Sequence, residues 1–388
     1  MSILMAHPSA ELYGSDKMFL ESAAGLSASG HSVTATLPQA GPLGAALRRV
    51  GVSVELCRTP VLRKSLLSPR GVLVLGRDSA RGVLQAWSLL NRLRPDILYV
   101  STQTIPLWNL VGRLKRLPVL VHVHEAEGSA PAIFRLGLAL PLAAATAVVA
   151  NSYYAAGVQE RSFRPLKGRQ SVVYNGVAGP AHDVEPRVKL QGTIRLVYVG
   201  RLSERKGVDV AVHAVLLLHA QGVPVSLDVV GAVYPGYEAF EARLRNTVSE
   251  SGASDSVTFH GFQTDVWPFL ANADIALIPS QRDEPFGNTA VEAMLAARPA
   301  VVSNTSGLRE AAGGYGSVVF VEPGHAQEVA RAVRRIRENW EQYRDSALTD
   351  AVTAAVRHSS KTYVNAVAKQ LDAAVVSAGR PCARGPAL

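Results

Sequence analysis

Apolar residues recur along the chain in two alternating patterns. Short continuous apolar runs predict buried strands, and longer stretches with apolar positions three and four apart predict amphipathic helices. The opening run SILMAHPS reads as a strand followed by a loop, and in the next stretch Met18, Phe19, Ala23 and Leu26 share one helical face. Gly30 ends that helix, and HSVTATLP forms the next predicted strand.

The same alternation continues through both halves of the chain. The predicted strands that follow are VSVELC, DILYVST and PVLVHVHE in the first half, and TIRLVYVG, VSLDVVG, VTFHGF, DIALIPS and PAVVSN in the second. Strands that alternate with helices of ten to fifteen residues indicate βαβ units and parallel sheets. We therefore predict two doubly wound α/β domains in tandem. Because ligands bind at the carboxyl ends of such strands, we expect the site to face a cleft between the domains.

A non-periodic segment, rich in Pro, Gly and charge, separates the two series and predicts a linker. An amphipathic helix is expected near 350–377, packing back on the first domain, and the last residues are expected to be disordered. The predicted parts are an N-terminal domain over 1–177, a linker over 178–192, a C-terminal domain over 193–355, a C-terminal helix over 356–378 and a tail over 379–388.

Length and composition favour a globular protein of two domains. At roughly 100–200 residues per domain, the 388 residues fit two domains. The two cysteines, Cys57 and Cys382, provide neither a disulfide framework nor a zinc cluster, so a reducing, cytoplasmic setting is expected. No signal peptide is predicted, and the uncharged stretch between Arg135 and Glu160 reads as a buried helix followed by a strand.

Positive charge is concentrated in the first half of the chain. The net charge is +9, and residues 1–175 hold 19 Lys and Arg against 9 Asp and Glu. This asymmetry indicates either an anionic partner, such as the inner face of a membrane, or a general contribution to solubility. Nucleic acid is disfavoured because no recognition motif accompanies the charge. The cations that alternate with apolar residues in this half are Arg58, Arg63, Lys64, Arg70, Arg77, Arg81, Arg113, Lys115 and Arg116.

Two cations flank the turn that follows the first strand of the second series. In LVYVGRLSERKG the strand ends at Gly200, Arg201 and Lys206 follow, and a helix begins near Val208. Glycine lets the backbone approach an anion, and a helix N-terminus with two cations suits a diphosphate. The alternative is a solvated basic turn.

Two glutamates stand eight residues apart in the segment PSQRDEPFGNTAVEAM. Glu284 lies in the loop from Ser280 to Gly287, and Asn288 is expected to cap a helix that begins near Thr289 and carries Glu292. A carboxylate accepts two hydrogen bonds, so each acid suits a pair of sugar hydroxyls. The alternative for Glu292 is an ordinary surface position on the helix.

These segments resemble those of the retaining GT-B glycosyltransferases of family GT4. EPFGNTAVEAM is similar to that family's E-x7-E signature, and YVGRLSERKG and NADIALIPS are similar to its VGRLxxxKG and ADxxxxPS segments. VVYNGV, VVANSYYAAG, TFHGF and YGSDKMFLESAAGLSASGHSV also match in order, so the resemblance covers roughly residues 3–365. It implies an acceptor-binding N-terminal domain and a C-terminal domain that binds the nucleotide sugar.

The resemblance also implies roles for individual residues. Arg201 and Lys206 would neutralise the diphosphate, Glu284 would bind the donor sugar, and Glu292 would hold the ribose. His124 would correspond to the histidine near the donor sugar, whereas His122, earlier on the same strand face, is expected in the core. Tyr13-Gly14 stands where the family has two glycines, followed by Asp16. The remaining implied contacts are Gly14 and Gly200, Gly261 and Phe262 beside the nucleobase, and Ser280, Phe286, Gly287 and Asn288 around sugar and phosphate.

The implied reaction moves a hexose-type sugar from a UDP-, GDP- or ADP-sugar to a hydroxyl of a glycan or lipid-linked acceptor, with retention, in polysaccharide or envelope biosynthesis. Cations and helix N-termini are expected to replace a metal. Retention fits same-face attack with the leaving phosphate taking the acceptor proton; a covalent intermediate through Glu125 or Glu127 stays open. The alternatives are a GT-B sugar-nucleotide epimerase and a catalytically silent, partner-binding relative. The expected location is the cytoplasm, with peripheral contact to the cell membrane.

Overall fold

The computed structural model describes residues 1–62, 69–182 and 185–379, with side chains described outside 69–75. The chain divides into two compact units. The first comprises Met1–Gly176 together with the chain from Ser360, and the second comprises Val177–Ser359. Of the basic positions named above, Arg63 and Lys64 lie outside the described residues, as does the side chain of Arg70. The tail predicted to be disordered lies outside them beyond Gly379.

The first unit is built on a seven-stranded parallel sheet in the order β3-β2-β1-β4-β5-β6-β7. Its central strands β4 and β5 are buried on both faces, in keeping with sequences that are apolar except for His122. Because the strands are parallel, their carboxyl ends all lie along one edge of the sheet. The strands are β1 (Ser2–Ala6), β2 (Ser32–Leu37), β3 (Ser53–Leu56), β4 (Ile97–Val100), β5 (Val119–Val123), β6 (Ala147–Ala150) and β7 (Gln170–Val172).

Among the described residues, this unit contains seven α-helices. Helix α14 packs on α1, where Gly25 lets Val364 approach the helix backbone. Leu371 and Val367 of α14 are buried in the same core as Phe19 and Leu26 of α1. The helices are α1 (Gly14–Ala28), α2 (Pro42–Arg49), α3 (Pro69–Leu93), α4 (Leu107–Leu114), α5 (Ala132–Ala139), α6 (Tyr153–Ser162) and, numbered last along the chain, α14 (Ser360–Ser377).

The second unit contains a six-stranded parallel sheet in the order β10-β9-β8-β11-β12-β13. The strands are β8 (Ile194–Val199), β9 (Val225–Val230), β10 (Val257–Gly261), β11 (Ile275–Ile278), β12 (Ala300–Ser303) and β13 (Val318–Val321). The helices are α7 (Val208–Ala220), α8 (Glu238–Glu250), α9 (Trp267–Asn272), α10 (Asn288–Leu295), α11 (Leu308–Ala311), α12 (Ala326–Glu338) and α13 (Trp340–Arg357). Within the described ranges, no helix combines the length and apolar character needed to cross a bilayer.

The two parallel α/β sheets confirm the predicted fold class. The single helix expected near 350–377 is wrong, because the chain forms α13 and α14 with a break at His358 and Ser359. The two helices have different partners: α13 contacts α10, whereas α14 contacts α1. The sequence interpretation also omitted two strands: β7, which is short and partly polar (Gln-Ser-Val), and β13, although its four residues, Val-Val-Phe-Val, are all apolar.

The segment predicted as a linker, 178–192, is anchored to the second unit at Arg187. The Arg187 guanidinium pairs with buried Asp274, and Arg195 pairs with the same carboxylate at 3.1 Å. The indole nitrogen of Trp340 donates to the Arg187 carbonyl oxygen at 2.9 Å. These contacts fix the start of the second unit against its own sheet.

Candidate functional site

The candidate site in the second unit centres on a buried ion pair between Lys206 and Glu284. Lys206 Nζ lies 2.7 Å from Glu284 Oε2, and Arg205 lies 3.8 Å from the same oxygen. Ser280 Oγ donates to that oxygen at 3.4 Å. Glu284 is 7% exposed, so its charge is met by protein groups rather than by solvent. The structure thus brings together three of the residues predicted from sequence and adds Arg205.

Opposing effects set the protonation of Glu284. Burial by itself would raise its pKa. The charges of Lys206 and Arg205, together with the hydrogen bonds from Lys206 and Ser280, outweigh burial and hold the pKa of Glu284 below its ordinary value. Glu284 is therefore an ionised acceptor at neutral pH, which is the form that can bind sugar hydroxyls.

Backbone contacts hold the two loops of the pair in place. The Glu284 backbone N–H donates to Ser306 Oγ at 2.8 Å, and Arg205 donates to the Asp283 carbonyl oxygen at 2.8 Å. Gln281 N–H donates to the Arg205 carbonyl oxygen at 2.9 Å. The loop after β11 is thus tied directly to the turn after β8, so Lys206 and Glu284 are positioned as one assembly.

Glycine is required at two positions of this assembly. Gly207 precedes α7 with φ +72°, and a Cβ there would lie 1.9 Å from the Pro279 carbonyl oxygen. Gly287 precedes α10 with φ +117°, and a Cβ there would lie 2.4 Å from a methyl group of Leu308. Both positions combine left-handed backbone with close packing, which only glycine accommodates.

The helix that carries Glu292 begins one residue earlier than expected. Asn288 was predicted to cap a helix from Thr289, but α10 begins at Asn288 itself, and Gly287 occupies the capping position without a side-chain hydrogen bond. The left-handed backbone of Gly287 makes the turn into the helix, which leaves Asn288 as its first residue. Half-buried Glu292 is the fifth residue of α10.

The space around Lys206 and Glu284 is small. A cavity of about 10 Å³ lies against Lys206, Ser280, Glu284, Gly287 and Thr289. Such a volume holds about one water molecule. The Lys206–Glu284 contact lies beside this cavity.

Arg201 and the residues near β10 are further predicted positions of the second unit. The Arg201 guanidinium stacks on Tyr234 at 3.3 Å, and its carbonyl oxygen accepts from the Tyr198 hydroxyl at 2.8 Å. Gly200 N–H donates to the Val230 carbonyl oxygen at 2.9 Å. Gly261 ends β10 with φ +68°, and the adjoining Phe262 is 46% exposed. Phe286 is buried, with its ring 5.6 Å from that of His358.

The predicted residues of the first unit lie at the start of α1 and the end of β5. Gly14 is the first residue of α1, and a Cβ there would meet no described atom within 4 Å. His124 directly follows β5, and its ring lies 4.2 Å from that of His122. Burial lowers the pKa of His124 to about 3, with a smaller contribution from the charge of His7, so its imidazole is neutral at physiological pH. His122 is buried, and its Nδ1 lies 2.8 Å from the Tyr99 hydroxyl.

Sequence reasoning missed several residues that build the site. Arg205 stood next to Lys206 in the same basic turn, so its charge was visible. Ser306 and Tyr234 gave no signal, because they come from loops distant in sequence. Within the described residues, no group of three or more His, Cys, Asp or Glu side chains is arranged to hold a metal ion.

Two family models match successive parts of the chain. The model described as "Glycosyl transferase 4-like domain" matches residues 14–176, and "Glycosyl transferases group 1" matches residues 183–347. The chain belongs to the GT4 family of GT-B glycosyltransferases. The second model covers the Lys206–Glu284 pair and the whole loop from Ser280 to Asn288.

Curated relatives of this GT4 chain are glycosyltransferases whose names give different sugars and acceptors. The 2-deoxystreptamine glucosyltransferase of Streptomyces kanamyceticus is 35% identical over 37% of this chain and 36% of the relative. The GDP-mannose-dependent alpha-(1-6)-phosphatidylinositol dimannoside mannosyltransferase of Mycobacterium tuberculosis is 34% identical over 39% of this chain and 37% of the relative. The alignments thus span less than half the length of these relatives.

Solved GT-B structures match nearly the whole chain. Anabaena HepE in complex with UDP and glucose has a TM-score of 0.80 and 21% identity, covering 96% of this chain and 100% of HepE. Sucrose-phosphate synthase from Thermosynechococcus elongatus has a TM-score of 0.74 and 19% identity, covering 96% and 99%. At these identities the likeness establishes the GT-B fold.

Proposed function

We propose that this GT4 chain transfers a hexose-type sugar from a nucleoside diphosphate sugar to a hydroxyl of a glycan or lipid-linked acceptor, with retention of anomeric configuration. The observation that supports this most directly is the Lys206–Glu284 pair at the carboxyl end of the second sheet. A cation that suits a diphosphate and a buried carboxylate that suits sugar hydroxyls lie next to each other, 2.7 Å apart.

Donor binding then exchanges partners within the pair. The diphosphate takes the Lys206 ammonium and the Arg201 guanidinium, and Glu284 turns to accept hydrogen bonds from the donor sugar. Glu292 holds the ribose, and Gly261 and Phe262 contact the nucleobase. The backbone around Phe286, Gly287 and Asn288 lies at the N-terminus of α10, where the helix dipole favours an anion.

Charge stabilisation by these cations is the main catalytic contribution that we propose. The bond between the anomeric carbon and the phosphate oxygen breaks, and negative charge grows on the leaving diphosphate. Lys206, Arg201 and Arg205 lie in the same loop assembly, so they meet this charge without a metal ion. Retention follows if the acceptor attacks on the face from which the diphosphate leaves.

Donor identity is tested by binding and turnover. Thermal shift compares the binding of UDP, GDP, ADP and their glucose and mannose conjugates. UDP-glucose and GDP-mannose are tested first, because one similar structure contains UDP and glucose and one relative is named as GDP-mannose-dependent. We expect one nucleotide series to raise the melting temperature, and Lys206→Ala and Glu292→Ala to reduce that rise.

The alternatives give different products in the same assay. Slow release of nucleoside diphosphate and free sugar from one donor supports the transferase. Release of a free epimer would instead indicate an epimerase, and a chain that neither binds nor hydrolyses any donor would be a silent relative. Unchanged nucleotide binding in both variants would contradict the proposed pocket.

We also propose that the first unit contacts an anionic membrane surface. Helices α3 and α4 lie side by side and expose Leu84, Trp87, Leu110 and Leu114. Lys115 lies over the Trp87 ring at 4.0 Å, and Arg113 is exposed on α4. Apolar side chains flanked by cations are typical of surfaces that bind anionic lipid headgroups.

A further inference from the structure

A larger cavity of the second unit lies between α7 and the start of α12. Its volume is about 440 Å³, within the range of roughly 300–1,000 Å³ that is typical of small-molecule sites. His213, Gly324 and Gln327 are exposed where they line it, so a ligand can enter from solvent. None of its lining residues is among those proposed above to bind the donor. The cavity is therefore a candidate for a second, separate ligand.

The polar side of this cavity consists of Asp209 and Gln281. Gln281 Nε2 donates to both carboxylate oxygens of Asp209, at 3.0 and 2.9 Å. Gln281 Oε1 has no hydrogen-bond partner among the described residues, and a Cβ at Gly324 would lie 3.5 Å from it. Each carboxylate oxygen accepts more than one hydrogen bond. Asp209 and Gln281 together thus offer acceptors to a ligand that donates.

The charge of Asp209 favours a cationic ligand. In the part of the chain that the structure describes, no Lys or Arg side chain forms an ion pair with Asp209. Arg205 instead donates to the Asp283 carbonyl oxygen and lies 3.8 Å from Glu284. Helix N-termini favour anions, but those of α7 and α12 already carry Asp209 and Glu328 in their first turns. An ammonium or guanidinium group is the donor that a half-buried carboxylate binds most strongly.

The apolar side of the cavity requires an apolar body on the same ligand. Asp209, His213, Leu216 and Leu217 share one face of α7, because their spacing of four, seven and eight residues follows the helical turn. Leu216 lies about 10 Å along the helix axis from Asp209. Both leucines are half-buried and line the cavity. A short alkyl or aromatic group attached to the cation can cover them.

Asp209 and Gln281 also join the two segments that carry the candidate donor site. Asp209 comes three residues after Lys206, and Gln281 comes three residues before Glu284. Burial raises the pKa of Tyr198 well above its ordinary value, and the charges of Glu284 and Asp209 act in the same direction. Tyr198 lies on β8, directly before the turn proposed for the diphosphate. The field of Asp209 thus extends to the place where the donor's negative charge is proposed to bind.

We propose that the cavity between α7 and α12 is an effector site for a small organic cation with an apolar body, and that its occupation strengthens the binding of a nucleoside diphosphate. The cation neutralises Asp209 and so removes a negative charge from the surroundings of the diphosphate. Linkage requires that the nucleotide strengthens binding of the cation by the same factor. The effect on the nucleotide rests on the proposed sugar transfer, whereas the binding of the cation does not.

The binding of a cation is tested by NMR on the full chain with ¹³C-labelled leucine methyl groups. The probes are hexylamine, 1-hexanol and hexanoate, which share a six-carbon chain and differ in charge. We expect hexylamine to shift the Leu216 and Leu217 methyl resonances in a saturable way, binding about tenfold more tightly than 1-hexanol, with hexanoate weakest. No shift with hexylamine, equal binding of the three probes or a preference for hexanoate overturns the proposal.

Asp209→Asn removes the charge that the cation is proposed to contact. The asparagine oxygen can still accept from Gln281, so the contact between the two segments is kept. We expect this variant to lose the tenfold preference for hexylamine over 1-hexanol. Asp255→Asn is the matched control, because Asp255 is an exposed acid of the same unit that does not line the cavity, and it should keep the preference. An equal preference in wild type and Asp209→Asn would overturn the role of Asp209.

Isothermal titration calorimetry with nucleoside diphosphates tests the effect on the donor site. We expect saturating hexylamine to tighten nucleotide binding about two- to threefold in wild type and in Asp255→Asn, but not in Asp209→Asn. Unchanged affinity in wild type overturns the coupling. If a nucleotide binds but hexylamine shifts neither leucine, the inference fails alone. If no nucleotide binds, the proposed function fails, and the methyl resonances still decide whether the cavity binds the cation.

Discussion

At the scale of single residues, the contact between Lys206 and Glu284 is the centre of the site that we propose in the second unit. A buried carboxylate without a partner is costly, and its stabilisation here comes from side chains that the proposed donor also needs. The fold thus keeps the proposed phosphate-binding cation and the proposed sugar-binding acid in contact with each other. A donor that pulls them apart provides each with a new partner.

Lys206→Met should lower stability in a pH-dependent way. The folded pKa of Glu284 is depressed, so its contribution to stability is present above the unfolded pKa of about 4.5 and is lost as pH falls through the folded pKa. In the variant only Arg205 and Ser280 still act against burial, so the pKa of Glu284 rises. We expect the variant to be about 2 kcal/mol less stable at pH 7, with the gap closing toward pH 3, by urea denaturation.

Arg245→Met is the matched control, because it removes the cation of the exposed Arg245–Glu241 pair. Exposed ion pairs on a helix contribute only a few tenths of a kcal/mol to stability, about 0.5 kcal/mol at most. Equal effects of the two substitutions would show that burial gives the Lys206 pair no special weight.

Glu125 should have the opposite pH dependence. Burial raises its pKa to about 7, although hydrogen bonds from Thr102 and from nearby backbone N–H groups act against this. A raised pKa means that the folded state holds the proton more tightly, so stability is lost as pH rises from about 4.5 to 7. Relative to Glu125→Gln, the wild type should lose about 2 kcal/mol between pH 5 and pH 7.5, measured by urea denaturation. Parallel curves for the two proteins would contradict the raised pKa.

At the scale of elements, close approaches between helices and loops determine where glycine is needed. Gly25 of α1 faces Val364 of α14, and a Cβ there would lie 2.3 Å from a Val364 methyl group. Gly207 serves the same purpose between the turn after β8 and Pro279. One contact joins the C-terminal helix to the first unit, and the other joins the two loops of the candidate site.

Gly25→Ala should destabilise the first unit, and Val364→Ala should partly relieve the effect. Alanine normally favours a helix by about 1 kcal/mol over glycine, but the clash with Val364 is expected to cost more, for a net loss of about 1–3 kcal/mol. Gly137→Ala in α5, where a Cβ meets no described atom within 4 Å, is the control and should be neutral or stabilising. Urea denaturation of the double mutant should show a coupling of at least about 1 kcal/mol; strict additivity would rule out the contact.

At the scale of the whole molecule, the uneven charge and the exposed apolar residues coincide in the first unit. Residues 1–175 hold 19 Lys and Arg against 9 Asp and Glu, and α3 and α4 expose large apolar side chains between cations. Neither feature is needed for the parallel sheet. Together they define a surface that the fold leaves available to a partner.

Leu110→Ser with Leu114→Ser should reduce binding to anionic vesicles. The wild type is expected to sediment with phosphatidylserine-containing vesicles and less with neutral ones, because cations and apolar groups act together. Val352→Ser with Val356→Ser on α13 is the control, since Val352 and Val356 are as exposed as Leu114, about 70%, but lie on the second unit. Equal sedimentation with both vesicle types, or an equal loss in both double variants, would exclude the proposed surface.

Much of the architecture could be predicted from local patterns. Apolar runs alternating with helical periodicity predicted β1 to β6 and β8 to β12, because strands buried on both faces are mostly apolar. The break between α13 and α14 could not be predicted this way. It depends on the packing of each helix against a different partner.

The candidate site, like the fold, has features that the sequence predicted and features that only the structure revealed. The sequence by itself determined the parallel α/β class, the two-unit order and the residue types around Lys206 and Glu284, because these depend on periodicity and on neighbours along the chain. Only the tertiary structure decided that Lys206 and Glu284 touch, that Arg205 and Ser306 join them, and that Gln281 binds Asp209 beside an open cavity. Such contacts join loops far apart in sequence, and their geometry follows from sheet order and close packing, which no local pattern encodes.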